Sequence, residues 1–235
     1  MPSPCPARDR ILLLDFGGVC SPHPFEQPDK RAATFGLRVD QLPWAGPADP
    51  DRDPLYARQQ AGEITEREYW AAHAATLGRL VDGSEWTLQH MMRRFHERVV
   101  PDELLRPQAT ALADAARTEG VRVAVMSNDL RDFAGEAFVA GCRFLQLADP
   151  IVDASVTGVF KPAPQAYALA LEALGSPDAG SVLFVDDQAA NAAGGRAAGM
   201  AAVHFDVLQP AAGWWTVAEE LFCAAFAEQL YGPRP

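Results

Sequence analysis

A chain of 235 residues, 49% of them apolar, can bury one large core or a core with a sizeable insertion. Its formal charge of -11 repels nucleic acid and anionic membranes at long range, so neither is expected as a partner, although a small anion can still enter a local basic pocket. No stretch approaches the ~20 apolar residues of a membrane span, and "MPSPCPARDR" has acid and proline where a signal peptide needs an apolar segment, which predicts a cytoplasmic protein.

The first element is "RILLLDF", residues 10–16, an apolar run that reads as a buried strand ending in one carboxylate, Asp15, followed by Gly17 and Gly18. Residues 21–104 have a different character. They open with the proline-rich "SPHPFEQP" and "LPWAGPADPDRDP", which mark irregular loops. They turn helical at "TEREYWAAHAATLG", where Thr65 and Glu68 have capping-box spacing. Leu88, Met91, Met92, Phe95 and Val99 form an apolar stripe, read as packing within this segment rather than as a ligand surface. The expectation is a helical domain, 21–104, inserted into a second domain made of 1–20 and 105–235.

Beyond the insert the chain alternates. "LLRPQATALADAARTEG" predicts a helix closed by Gly120, and "VRVAVMSND" a buried strand stopped by polar residues. "IVDAS" reads as a short strand, "APQAYALALEALG" as a helix closed by Gly175 and "SVLFVDD" as a strand. "QAANAAGGRAAGM" then reads as a helix and "AAVHFD" as a last strand, with Trp214 and Trp215 expected to cover the sheet's edge near a carboxy-terminal helix. This pattern predicts an α/β fold, a Rossmann-like parallel sheet with helices on both faces. Cys5, Cys20, Cys142 and Cys223 are scattered, which suggests neither a zinc site nor a disulfide framework, and they are expected as free thiols.

Open parallel sheets bind ligands outside the carboxyl ends of their strands. Strand one ends at Asp15, strand two at Ser127 and Asn128, and strand four at Asp186 and Asp187, while the segment after strand three reaches Lys161, one of two lysines in the chain. One rim thus gathers three carboxylates, a hydroxyl and an ammonium. Adjacent acids repel unless a cation or the lysine neutralises them. A hard divalent ion answers that need, and Mg²⁺ suits a site of few carboxylates that also receives a phosphate. Glycine after Asp15 lets the backbone fold closely against an anion, and a main-chain carbonyl can serve as a ligand without any side chain.

These motifs, "LLLDFGGV", "VAVMSND", "GVFKPAPQAYALAL" and "LFVDDQAANAAGGRAAGM", occur in the order and at the strand ends of the haloacid dehalogenase superfamily, mostly phosphatases with an aspartate nucleophile, which the chain resembles throughout. The long helical insert lies where that superfamily's first type of cap lies. "GVFKPAPQAY" and "DDQAAN" look most like the branch holding the amino-terminal phosphatase domain of soluble epoxide hydrolases and bacterial sugar-phosphate phosphatases.

The resemblance implies that Asp15 attacks phosphorus and becomes an aspartyl-phosphate that water hydrolyses. Ser127 and the amides left open by Gly17 and Gly18 would bind phosphoryl oxygens, and Lys161 would neutralise Asp15 and the phosphate. Asp15, Asp187 and the carbonyl of Gly17 would hold Mg²⁺, with Asp186 either a water-mediated ligand or a partner for Lys161. Asn128 is placed beside the phosphate as an orienting group. Asn191 is either a second such group or an amide on a helix surface. The implied substrate is a small phosphorylated metabolite.

One departure stands out. Most phosphatases of this superfamily carry a second Asp two residues after the nucleophile as general acid and base, and here that position is Gly17. His23 in "SPHPF" is the candidate substitute for proton transfer or substrate contact, set against a plain reading as a histidine between prolines in an exposed loop. Cys20 reads as a small packed residue. Three other activities remain open: a hydrolytic 2-haloacid dehalogenase, a phosphonoacetaldehyde-type hydrolase for which Lys30 is the sole lysine in the insert, and a weakened phosphate-binding or regulatory protein.

Overall fold

The computed structural model describes residues 9–97 and 99–235. Its sheet is built on β1 (Ile11–Leu14), whose four aliphatic residues are all buried. After it come α1 (Pro28–Thr34), α2 (Pro54–Gln60), α3 (Glu66–Val81) and α4 (Leu88–His96), and then α5 (Pro107–Thr118) and β2 (Arg122–Ser127). Three short helices follow, α6 (Leu130–Ala134), α7 (Glu136–Gly141) and α8 (Arg143–Gln146), before β3 (Ile151–Asp153) and the single turn α9 (Ala154–Thr157). The chain closes with α10 (Pro164–Ala173), β4 (Val182–Asp186), α11 (Ala189–Ala197), β5 (Ala201–His204), α12 (Pro210–Leu221) and α13 (Ala224–Tyr231).

The five strands run parallel in the order β3-β2-β1-β4-β5. A parallel sheet is covered on both faces, so its inner strands read as unbroken apolar runs instead of alternating ones. Ile11 and Leu13 face a cluster with Ala124, Met126, Phe184 and the α10 residues Ala166, Tyr167 and Ala170. Leu12, Leu13 and Leu14 are closed to solvent, each burial contributing about 1.5–3 kcal/mol. Register is tight: Leu14 lies between Val125 of β2 and Val185 of β4, so the strands end nearly level.

Two compact units make up the chain. One runs to His23 and includes Val100–Arg131 and Glu136–Pro235, and it holds the sheet. The other, Pro24–Val99 with Asp132–Gly135, is helical. Its boundary departs from the expected 21–104 at both ends, and it takes in four residues in and after α6. Thr65 and Glu68 form the capping box at the start of α3. That helix runs past Gly78, where a side chain would meet the Ser84 carbonyl at 2.5 Å and the Trp86 ring at 2.6 Å. Leu88, Met91, Met92 and Phe95 join the core of this unit with Trp44, Tyr69 and Trp70, whereas Val99, past the end of α4, does not.

Several expectations are corrected. The third strand stops at Asp153 because that carboxylate accepts from the Ser155 amide and caps the turn α9. Trp214 is fully buried where α12 packs mainly on the carboxy-terminal helix α13 and also meets α5 and β4, its ring 5.4 Å from that of Phe205 just after β5. Cys20 and Cys142 are free and buried, while Cys223 is disulfide-bonded, against the expectation of four thiols. Cys5 lies outside the described residues. Among the described residues no helix is long and apolar enough to cross a membrane.

Candidate active site

Asp15 extends the ladder by one bond beyond β1, its amide donating to the Val185 carbonyl at 2.9 Å. Its side chain emerges between the ends of β2 and β4 and is almost buried, at 7% exposure. The Lys161 ammonium meets it there, Nζ donating to Asp15 Oδ1 at 3.0 Å, to Asp186 Oδ2 at 2.6 Å and to the Met126 carbonyl at 2.9 Å. Three donors thus find three acceptors. The Phe184 ring lies 5.5 Å from the same ammonium, which adds a favourable quadrupole contact.

These charges tune one another. Burial pushes the Asp15 carboxyl up to about 7, with Lys161 opposing and Asp186 adding to the rise. Burial pulls the Lys161 ammonium down, but Asp15 and Asp186 more than offset it and hold it above an ordinary lysine. Lys161 is therefore charged at every physiological pH.

Asn128 places Lys161 by its main chain: Asn128 Oδ1 accepts from the Lys161 amide at 2.8 Å and Nδ2 donates to the Lys161 carbonyl at 3.1 Å. Both ends of the amide thereby hold the Lys161 main chain. Asn191 is 1% exposed, not a surface amide, and its Nδ2 donates to Asp186 Oδ1 at 3.0 Å. The Gln188 amide reaches the same oxygen at 2.9 Å. With Lys161 on its other oxygen, Asp186 is a partner for the lysine.

Asp15, Asp186 and Asp187 each bring one carboxylate oxygen to within 4.8 Å of the others, an all-oxygen set of the kind hard divalent cations take. Gly18 makes room for it. Its φ is +77°, and a Cβ there would stand 2.2 Å from Asp187 Oδ2, so no other residue leaves this carboxylate its place. Gly17 differs: it is exposed, its φ is outside the left-handed region, and a Cβ would have nothing within 4 Å. The His204 ring donates from Nε2 to the Asp187 carbonyl at 3.0 Å.

Ser127 is the last residue of β2 and is buried beside Asp153 of β3, level with the same rim. His23 belongs to the same unit but is buried at 8% exposure, not set in an exposed loop. Lys30 is exposed on α1 of the helical unit.

Sequence reasoning missed Arg106. Its guanidinium is 5% exposed, with Nε donating to the Val19 carbonyl at 3.0 Å and Nη2 to the Gly18 carbonyl at 2.9 Å. Its own amide donates to the Cys20 carbonyl at 2.8 Å. Nothing local marks an arginine before "PQATAL" as the clamp of a turn more than 80 positions earlier.

The family described as haloacid dehalogenase-like hydrolase matches residues 37–199. Phosphatase MT3486 of Mycobacterium tuberculosis (strain CDC 1551 / Oshkosh) is 33% identical over 100 residues, which is 43% of this chain and 46% of that protein. The match thus spans less than half of its length. Among solved structures, the HAD-hydrolase YfnB from Bacillus subtilis, bound to magnesium, superposes with a TM-score of 0.59 at 17% identity, covering 84% of this chain and 88% of that one. An L-2-haloacid dehalogenase superposes with a TM-score of 0.52 at 22% identity, covering 82% and 84%. At such identities these two likenesses concern the fold.

Proposed function

Because the chain belongs to the haloacid dehalogenase-like hydrolase family, we propose that it is a Mg²⁺-dependent phosphohydrolase that passes the phosphoryl group of a small metabolite through an aspartyl-phosphate on Asp15. The carrying observation is a single cluster: Lys161 held between Asp15 and Asp186, with the Asp187 carboxylate brought within 4.8 Å of both acids. Three carboxylates around one ammonium keep the pocket net negative, which opposes a phosphate dianion unless a cation joins it. A hydrolytic dehalogenase of this superfamily needs no metal and has other polar residues at the metal carboxylates. The adjacent acids, and the glycine that makes space for one of them, favour phosphate over that alternative.

In this reading a carboxylate oxygen of Asp15 attacks phosphorus as the bond to the leaving oxygen breaks. Lys161 opposes the burial that raises the Asp15 carboxyl, favouring its ionised form, and steadies the charge gathering on the phosphoryl oxygens. Ser127 and the amides that follow Asp15 bind those oxygens. Asp15, Asp187 and the Gly17 carbonyl would hold the Mg²⁺, which when bound would add positive charge against both carboxylate and phosphate. Water then attacks phosphorus in the acyl phosphate, releasing inorganic phosphate and restoring Asp15. The leaving oxygen departs with little proton help, since the position two residues after Asp15 has no side chain. The helical unit is the proposed cap, and the protein is proposed to work in the cytoplasm.

The direct test is a hydrolysis screen over sugar phosphates, nucleotides, acyl phosphates and aryl phosphates, with and without Mg²⁺, using Asp15→Asn as control. Phosphate release that needs both the ion and Asp15 supports the reading. Halide release from 2-haloacids in excess chelator, with no phosphate released from any ester, replaces it.

A further inference from the structure

Arg106 is a buried charge that the chemistry above leaves unused. Its Nε and Nη2 are two donors on one edge of a planar fork, and they take the consecutive carbonyls of Val19 and Gly18, while its amide takes that of Cys20. One residue thus receives three successive carbonyls of the turn that follows Asp15. In a trans peptide the C=O and N–H point opposite ways, so holding the Gly18 and Val19 carbonyls aims the Val19 and Cys20 amides to the other side of the turn. Gly18 is also the residue whose backbone lies against the Asp187 carboxylate. Arg106 has a second connection to that pair of acids: its guanidinium lies 5.6 Å from the Phe205 ring, and the Phe205 amide donates to the Asp186 carbonyl at 2.8 Å.

We propose that Arg106 is a positioning residue for the Asp15 turn, fixing Gly18 against Asp187 so that the acidic pocket is set for a divalent cation and Asp15 is set for attack. The cation part stands on this chain's own donors, and the attack part rests on the phosphohydrolase reading. A lysine keeps the charge but offers a point donor in place of the fork, so it cannot hold both carbonyls in the same way.

The test uses the full chain, with Arg106→Lys and Arg106→Gln, at a temperature where each is folded. Mg²⁺ affinity is read by calorimetry with the metal alone, and amide exchange is followed across residues 16–21. Turnover of p-nitrophenyl phosphate is measured with kcat and KM separated. Loss of a group that orients metal ligands typically costs about 10- to 100-fold in affinity or activity. Both variants are expected to weaken Mg²⁺ binding and lower kcat on that scale, with KM nearly unchanged and faster exchange at residues 18–21. In the parent, Mg²⁺ is expected to protect those same amides. A lowered melting temperature with parental Mg²⁺ affinity and kcat makes Arg106 merely structural and overturns the proposal. If neither variant folds, the parent decides, because absence of Mg²⁺ protection at 18–21 overturns it as well. A parent that binds Mg²⁺ with that protection but hydrolyses no phosphate ester sinks the phosphohydrolase reading, while metal affinity and exchange still judge Arg106.

Discussion

Lys161 and Asp186 meet at 2.6 Å with their side chains at 2% and 0% exposure, and Asp15 shares the same ammonium at 3.0 Å. Breaking a buried pair by removing one partner leaves uncompensated charge and costs about 3–5 kcal/mol. Lys161→Met is therefore expected to lower stability on that scale and to abolish turnover. Adding Asp186→Asn removes one of the two stranded charges, so the double variant regains stability in urea unfolding yet stays inactive. A Lys161→Met protein as stable as the parent contradicts the burial of this cluster.

The crowding of Gly18 on Asp187 gives a second outcome. Gly18→Ala places a methyl where the carboxylate lies and forces a side chain onto a φ of +77°, a conformation costing of order 1–2 kcal/mol outside glycine. Calorimetry is expected to find Mg²⁺ affinity reduced in Gly18→Ala and lost in Asp187→Ala, with the second variant folded. Undiminished Mg²⁺ binding by Asp187→Ala would falsify the metal assignment.

Gly17→Asp is the opposite case. The site is open and its φ is outside the left-handed region, so the variant is expected to fold with little loss of stability. A positioned general acid typically contributes about 10²- to 10⁴-fold, and poor leaving groups need it most. The parent should therefore show a steep fall in single-turnover rate as leaving-group pKa rises across aryl and alkyl phosphates, flattened in Gly17→Asp. A flat parental series means that another group supplies the proton, and His23→Gln becomes the next variant to measure.

Acid should loosen the helical unit in two stages. His73 Nε2 lies 3.4 Å from Asp53 Oδ1, both side chains closed to solvent. Burial lowers the His73 pKa against the pull of Asp53, and burial also lowers that of His96. A histidine depressed in the folded state binds its proton first in the unfolded chain. The stability present above the unfolded value of about 6.5 is therefore lost as pH falls below it.

Asp53 acts in the same direction at lower pH. Burial would raise it, but the Tyr69 hydroxyl and the Ala45 and Gly46 amides bring it below an ordinary carboxylate. Its contribution holds above about 3.9 and fades beneath. Protection of the α3 amides, taken relative to the unstructured-chain exchange rate at each pH, is expected to fall from about pH 6 downward and again below about pH 4. His73→Gln with His96→Gln should remove only the first step. If the double variant keeps the full slope between pH 7 and 5, these histidines do not carry it.

Much of the sheet and most of its strand ends were legible in the sequence, because each depends on local signals. Unbroken apolar runs mark strands buried on both faces, and the first polar residue after each run marks its end. Asp15, Ser127, Asp186 and Asp187 could thus be put on one rim without coordinates, as could Lys161 in the segment after the third run. Tertiary structure alone decided which of those groups touch. Parallel strands pair across long crossovers, so Lys161 reaches Asp15 over 146 positions and Arg106 reaches Gly18 over 88, separations at which sequence spacing carries no geometric information. The same reason hid the partner of Asn128, the Lys161 main chain 33 positions on, and tertiary packing alone separates Gly17 from Gly18. Adjacent glycines read alike in a sequence, and only the packed Asp187 carboxylate shows that one must be glycine while the other faces open space.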